Sequence, residues 1–425
     1  MTALTDLAKE HRSGNPHGIV SVCSAHPLVL RAAVQHAKDT EATLLIEATC
    51  NQVNHQGGYT GLTPMDFAGQ VAAIMADEAC PPDRVILGGD HLGPNPWRHL
   101  AAAEAMQNAC DMVEAYVAAG FRKIHLDASM GCASEPQALN DTVTAARAAK
   151  LADHAERAAA RANLPPPYYV IGTEVPPPGG ADHVLDTVKP TQPEAGKQTL
   201  TIHRTVFEAA GLKTAFSRVI ALVVQPGVEF GNENVVFYDP KAARGLSSSV
   251  WDMPDIVFEA HSTDYQSETA LTQLVRDGYA VLKVGPELTF AMREALYALD
   301  LIASEVSPSY GARPLFQTME QEMLSDPQHW ERHCNGTQTE VRLMRHYSLS
   351  DRIRYYWNTP KALQAVDQLF DTLDGSAIPA PVLQQFLSGR DTSSPQAFDP
   401  KHEVINRIRQ VLRRYSAAAT RETPT

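Results

Sequence analysis

Eight short apolar runs punctuate the chain at regular distances: IVSVCS (19–24), TLLIEA (43–48), VILGG (85–89), KIHLDA (123–128), YVIGTE (169–174), VIALVV (219–224), DIVFEA (255–260) and AVLKVG (280–285). Between them lie longer segments with apolar residues at helical spacing, such as PLVLRAAVQHA (27–37), AAAEAMQNACDMVEAYVAAG (101–120) and SETALTQLVRDG (267–278). The runs are apolar almost throughout, as strands covered on both faces are. A helical segment after each strand is the crossover that parallel pairing requires. Eight such units in series, without a dinucleotide fingerprint, predict an α/β fold of (β/α)8 (TIM) barrel type over residues 1–305 rather than an open doubly wound sheet.

The linker VPPPGGADHVLDTVKPTQPEAG (175–196) reads as a long loop after the fifth strand, of the kind that covers active sites. Beyond residue 305 the rhythm stops. Residues 306–425 read as a helical C-terminal extension that includes LSDRIRYYW (349–357) and HEVINRIRQVLRRY (402–415). No internal repeat beyond the βα unit and no low-complexity segment interrupts the chain.

Composition narrows the class of partner. The 425 residues are 44% hydrophobic and 20% charged, with a formal net charge of −13. That balance argues against a nucleic acid or an anionic membrane held by a generally basic surface. An anionic small substrate stays open, because one local Lys or Arg can outweigh the global field in a closed pocket. The six cysteines show no paired spacing and no CxxC, which suits a reducing cytosol. The N-terminus has no apolar targeting core, and no apolar stretch reaches membrane-spanning length, so the expected location is cytoplasmic. The sequon at Asn335-Gly336-Thr337 is read as chance.

In a barrel of this kind chemistry gathers at the C-terminal ends of the strands. There the chain places Ser24 and His26, Glu47 with Asn51 and Gln52, Asp90 and His91, Asp127 and Ser129, Glu174, Gln225, His261 with Ser262, Thr263 and Asp264, and Lys283. Eight strands ending alike would be odd if polar ends served structure alone. His91, Glu174 and His261 together suit a divalent metal, with Gln225 a weak fourth ligand. Asp90 beside His91 is then free to act as a general acid/base, with Glu174 a second candidate. EAHSTDYQS and LKVGPELTF, after the seventh and eighth strands, occupy positions where barrels hold phosphate. Ser262 and Thr263 supply donors there, Lys283 supplies charge, and a helix beginning near Thr289 supplies its amide end. The bland alternative is that these residues are helix caps.

The motifs SVCSAHPLV, IEATCNQVN, GGYTG, ILGGDHLGPN, KIHLDASM, IGTEVPPPGG, VVQPGVEF, EAHSTDYQ, KVGPELTFA and YSLSDRIRYYW run over nearly the whole chain. In them the sequence resembles the GatZ/KbaZ family, the Z-type subunits of tagatose-bisphosphate aldolase, which is similar in turn to the metal-dependent class II aldolases. The resemblance implies that Asp90 is the catalytic acid/base, that His91 and His261 bind metal, and that Glu174 matches the aldolases' strand-5 Glu. One position departs: Gln225 stands where those aldolases carry a metal-binding His on strand 6. The resemblance implies a divalent metal, Zn²⁺ first with Mn²⁺, Co²⁺ or Ni²⁺ open, and a phosphorylated ketohexose as substrate in carbohydrate metabolism such as galactitol catabolism. A separate aldolase subunit and a homo-oligomer are the protein partners it leaves open.

Family members divide between companion subunits of a catalytic aldolase and stand-alone epimerases interconverting D-tagatose 6-phosphate and D-fructose 6-phosphate at C4. Members are also called tagatose-6-phosphate kinases, but the chain has no G-x-x-x-x-G-K-[ST] motif to cradle ATP. Epimerisation at C4 of a 2-ketose cannot proceed by simple enolisation, because the C4 hydrogen is not adjacent to the carbonyl. A nicotinamide could oxidise the C4 alcohol, but no G-x-G-x-x-G follows a strand, so no nicotinamide is expected. Retro-aldol cleavage of C3–C4 and re-formation on the other face needs a Lewis-acid metal and an acid/base for the O4 proton. Those needs match His91, Glu174, His261 and Asp90, and favour the epimerase over the companion subunit.

Overall fold

A computed structural model describes residues 2–172, 188–387 and 397–420. Eight parallel strands close into a barrel: β1 (Ile19–Cys23), β2 (Leu44–Thr49), β3 (Val85–Leu92), β4 (Lys123–Leu126), β5 (Tyr168–Ile171), β6 (Val219–Val224), β7 (Val257–Ala260) and β8 (Tyr279–Val284). Closure is made by β1 on β8, with Ile19 opposite Val281 and Val22 opposite Val284. The expected (β/α)8 architecture and all eight predicted strands are present. β3 is longer than its apolar run, because Asp90, His91 and Leu92 extend the strand.

Local signals explain the crossovers. Helix Pro64–Asp77 starts in a capping box in which the Thr63 hydroxyl and the Asp66 carboxylate satisfy each other's backbone N–H. Helix Pro27–Thr40 starts at Pro27, and the His26 ring accepts from Leu28 N at 3.3 Å. Most of the loop predicted over 175–196 lies outside the described residues, and within the rest Pro193 opens helix Pro193–Ala209. The helix expected near Thr289 begins three residues sooner as Pro286–Val306. Among the described residues no helix is long and apolar enough to cross a membrane.

The barrel interior is layered. At the N-terminal end Ile19, Leu45, Ile86, Val170, Val257 and Val281 pack with Leu4 and Leu7 of two short N-terminal helices that plug the opening. Further along the strands the inward face turns polar with Ser21, Glu47, Lys123, Glu259 and Lys283, all buried. Side chains in such a barrel fill it as a packed core, so a charged layer must be internally paired to persist.

The residues after Val306 are chiefly helical in the described segments. Helix Pro400–Ala419 lies against helices Pro27–Thr40, Glu268–Arg276 and Pro286–Val306. It buries Val404, Ile408, Val411, Leu412 and Tyr415 there, at helical spacing. The stretch predicted as a helix over 349–357 is instead a 3-10 turn, Arg352–Tyr356, entered through a left-handed Asp351 (φ 46°).

Candidate active site

Alternation along a strand would send Asp90 and His91 to opposite faces. The backbone avoids this by placing His91 in the left-handed region at φ 49°, and the pairing of β3 with β4 shifts register between Gly89 and Leu92. A non-glycine residue there costs of order 1–3 kcal/mol. The result is that both side chains line one cavity at the C-terminal end of the barrel. Strand-end strain recurs at Ser262 (φ 54°), after β7.

Beneath the cavity lies a continuous ion network. Lys123 Nζ is 2.7 Å from Glu47 Oε1 and 2.7 Å from Glu259 Oε2. Lys283 Nζ pairs with Asp90 and lies 3.1 Å from Glu47 Oε2 and 3.5 Å from Glu259 Oε1. Ser21 donates to Glu47 Oε2 at 2.6 Å. Gly88 makes room for this arrangement, since a Cβ there would fall 2.4 Å from Glu47 Oε1.

Three imidazoles sit above the network. The His91 ring is 5.2 Å from that of His125 and 4.9 Å from that of His261, and the latter two rings are 5.3 Å apart. His91 Nδ1 lies 3.0 Å from Asp127 Oδ2, and Ser129 donates to Asp127 Oδ1 at 2.9 Å. His125 Nδ1 is 3.0 Å from Asp90 Oδ1, and His261 Nε2 is 2.9 Å from Glu259 Oε1.

These contacts set the charges. Burial alone would raise the Asp90 carboxyl, but His91 and Lys283 outweigh it and hold it well below the usual carboxylate range. Burial likewise opposes protonation of His91, yet Asp90 and Asp127 prevail and raise it. His261 is lowered to about 3, chiefly by burial and then by Lys283, so it stays neutral. Lys283 is held protonated by Asp90 and its carboxylate neighbours against the cost of burial.

This donor set fits a divalent cation. Among the described residues Asp90, His125, Glu259 and His261 each offer one ligand atom, all within 4.8 Å of one another. His125 Nδ1 is already met by Asp90 Oδ1 at 3.0 Å and by the His91 backbone N–H, which donates to it at 3.2 Å, so Nε2 is the nitrogen open to a cation. That Nε2 is buried with no hydrogen-bond partner. Four carboxyl groups (Glu47, Asp90, Asp127, Glu259) face two ammonium groups (Lys123, Lys283) and the His91 imidazole, so even with His91 protonated negative charge is left for a cation to balance.

The sequence model for D-tagatose-1,6-bisphosphate aldolase subunit GatZ/KbaZ-like proteins matches residues 4–420. The chain belongs to the GatZ/KbaZ-like family. It is 58% identical over 419 residues to a D-tagatose 6-phosphate 4-epimerase of Agrobacterium fabrum, covering 98% of this chain and 99% of that one. A crystal structure of a probable tagatose 6 phosphate kinase from Sinorhizobium meliloti 1021 is 51% identical and superposes with a TM-score of 0.87, over 94% of this chain and 100% of that one.

Set against this family site, the predicted residues fall into groups. Ser24, His26, Asn51, Gln52, Asp90, His91, His261, Ser262, Asp264 and Lys283 line the cavity. Glu47 and Asp127 lie behind it, holding Lys123, Lys283 and His91, while Ser129 holds Asp127. Glu174 lies outside the described residues. Of the metal ligands expected, His261 is in the donor group, the His91 nitrogens face Asp127 Oδ2 and Asp90 Oδ2, and Gln225 Oε1 accepts from Gly227 N at 2.8 Å and Val228 N at 2.9 Å, shaping its own turn.

The expected phosphate loops are arranged differently from the reading of the sequence. Thr263 donates to Lys283 O at 2.6 Å, away from the cavity. The amide end of helix Pro286–Val306 is already taken, because Asp264 Oδ1 accepts from Gly285 N at 3.0 Å and Glu287 N at 2.8 Å. Asp264 therefore serves as a cap of that helix. Lys283, expected to supply charge to a phosphate, is instead engaged by carboxylates.

Several lining residues went unflagged: Cys23, Tyr59 and Thr60, and from the C-terminal part Arg354, Tyr355 and Asn358. His125, Lys123 and Glu259 were also missed. A signal for them existed. KIHLDAS alternates Lys123, His125 and Asp127 with Ile124, Leu126 and Ala128, a polar face of period two inside a buried strand.

Proposed function

We propose that the protein is a metal-dependent ketose 6-phosphate 4-epimerase interconverting D-tagatose 6-phosphate and D-fructose 6-phosphate by retro-aldol and aldol steps. The observation that carries this reading is the 58% identity, over 98% of the chain, to a D-tagatose 6-phosphate 4-epimerase. The site supports it chemically, with an ionised carboxylate, a neutral imidazole at His261 and excess negative charge at one cavity.

His125, His261 and Glu259 are the residues that would hold a divalent metal, with Asp90 beside them left to carry the proton, and Zn²⁺ is the first candidate for such a nitrogen and oxygen set. When bound, the metal supplies Lewis-acid stabilisation of negative charge on the ketose oxygens. Asp90 takes the proton from the C4 hydroxyl. The C3–C4 bond breaks, C4 becomes the aldehyde carbon of a three-carbon phosphate, and the electron pair passes into a C2–C3 enediolate. The Lys283 ammonium beside Asp90 keeps that carboxyl ionised before the step. After the aldehyde presents its other face, C3 attacks C4 and Asp90 returns the proton to O4. Cavity walls must keep both fragments from escaping, which the burial of Asp90, His91 and His261 favours.

The test is turnover by the isolated protein with Zn²⁺, Mn²⁺, Co²⁺ or Ni²⁺ and fructose 6-phosphate in heavy water. Tagatose 6-phosphate should form with no deuterium at C4, because the C4–H bond is never broken. Deuterium at C4 would replace the bond-breaking route with another. No turnover alone, together with activation of a separate aldolase chain, would support the companion-subunit reading. ATP-dependent phosphorylation of tagatose 6-phosphate would support the kinase name instead.

A further inference from the structure

We infer that Arg354, carried by the C-terminal part of the chain, is the anchor for the substrate's phosphate group. This rests on the epimerase reading for the identity of the sugar, but the evidence for an anion subsite is independent of it. Arg354 and Lys283 are the two Lys or Arg side chains among the described residues lining the cavity. Lys283 is engaged by Asp90, Glu47 and Glu259, so a dianionic phosphate placed there would compete with three carboxylates. The helix amide end that often serves this purpose is capped by Asp264.

Among the described residues no carboxylate is ion-paired with Arg354, and the nearby Asp351 carboxylate is itself engaged by Arg293 and Thr289. The Arg354 guanidinium hydrogen-bonds to backbone carbonyls of Ser350 and Asp351, the latter at 3.1 Å, and to the Tyr355 hydroxyl at 3.0 Å. None of those partners cancels its charge. It also lies 4.5 Å from the Tyr355 ring centroid, which fixes the plane of the fork. Bidentate recognition of a phosphate by a preset guanidinium is what such a fork does well.

The segment carrying Arg354 is tied down where it crosses the barrel mouth. Leu349 O accepts from the Tyr265 hydroxyl at 2.6 Å, Ser350 donates to Asn232 at 2.6 Å, and Asp351 binds Thr289 at 2.7 Å and Arg293 at 3.0 Å. These ties reach the regions following β6, β7 and β8. The C-terminal part therefore completes the site, and its arginine would select ketoses bearing a terminal phosphate.

The experiment compares wild type with Arg354→Met and Arg354→Lys. Calorimetry would measure fructose 6-phosphate affinity, and kinetics the kcat/KM ratio for fructose 6-phosphate over fructose. Arg354→Met should weaken fructose 6-phosphate binding about 10- to 100-fold, the worth of charge-assisted hydrogen bonds, and shrink that ratio by a similar factor. Arg354→Lys keeps a cation on the same segment and should fall between; it also serves if the Met variant does not fold. Unchanged fructose 6-phosphate affinity, or an equal loss toward both sugars, would overturn the assignment. So would failure of the wild type to bind fructose 6-phosphate. Binding that depends on Arg354 in a protein without epimerase turnover would keep the anion subsite and sink the epimerase reading alone.

Discussion

His91 Nδ1 and Asp127 Oδ2 lie 3.0 Å apart, joining the end of β3 to the loop after β4 across the strained His91 backbone. The contact orients the imidazole so that Nε2 faces Asp90 Oδ2 at 3.6 Å. Asp127→Asn keeps the shape but loses the charge that favours a cationic His91. Turnover should fall about 10-fold or more, as when a buried partner of a catalytic group is neutralised. The variant's thermal midpoint should also fall, since a buried partner of His91 loses its charge, and unchanged kcat would show that His91 needs no such support.

Asp90→Asn should cost more. The amide preserves size but cannot take up the O4 proton, and a positioned acid/base is worth roughly 10²–10⁴-fold in rate. Fructose 6-phosphate affinity should change much less, because the Arg354 end of the cavity is untouched. Near-normal kcat in this variant would move the proton-transfer role to another carboxylate, with Glu47 and Asp127 next.

Two substitutions separate the ligand sets. His125→Ala removes the buried Nε2 that has no hydrogen-bond partner, whereas Gln225→Ala removes a side chain that shapes its own turn. Elemental analysis after dialysis should find metal lost in His125→Ala and retained in Gln225→Ala. The reverse pattern would return the site to the strand-6 position.

The legibility of the sequence follows from the physics of each part. Buried parallel strands are apolar on both faces, so all eight runs stand out, and Asp90 and His91 are conspicuous at the end of one of them. His125 and Lys123 hide because a run such as KIHLDA is scored by its apolar residues, while its alternate positions face the barrel interior. Strand position alone does not fix where a side chain points, and at Gln225 two backbone N–H groups of the next turn take up its oxygen. Arg354 is more than sixty residues past β8, and only tertiary packing through Asp351 and Tyr265 brings it to the cavity.

Gly88→Ala tests the charged layer. The new methyl would fall 2.4 Å from Glu47 Oε1, so the carboxylate must move and loosen its pairs with Lys123 and Lys283. Breaking a buried pair typically costs about 3–5 kcal/mol. A lower melting temperature with reduced activity is expected. Wild-type behaviour in both would mean that the network repacks freely.

Acid stability provides a prediction remote from the site. His36 on helix Pro27–Thr40 faces Ser416 of helix Pro400–Ala419 at 2.7 Å, within the seam that fixes the C-terminal helix to the barrel. Burial, then Arg409 and Arg413, lowers it to about 4 from an ordinary 6.5. The unfolded chain therefore binds a proton more readily than the folded one between those values. The stabilising difference is complete above pH 6.5 and is lost progressively as pH falls toward 4, at up to about 1.4 kcal/mol per pH unit. His36→Gln can still hydrogen-bond Ser416 but cannot be protonated. Urea unfolding across pH 4–7 should show a shallower decline for this variant than for wild type, and parallel curves would place the acid sensitivity elsewhere.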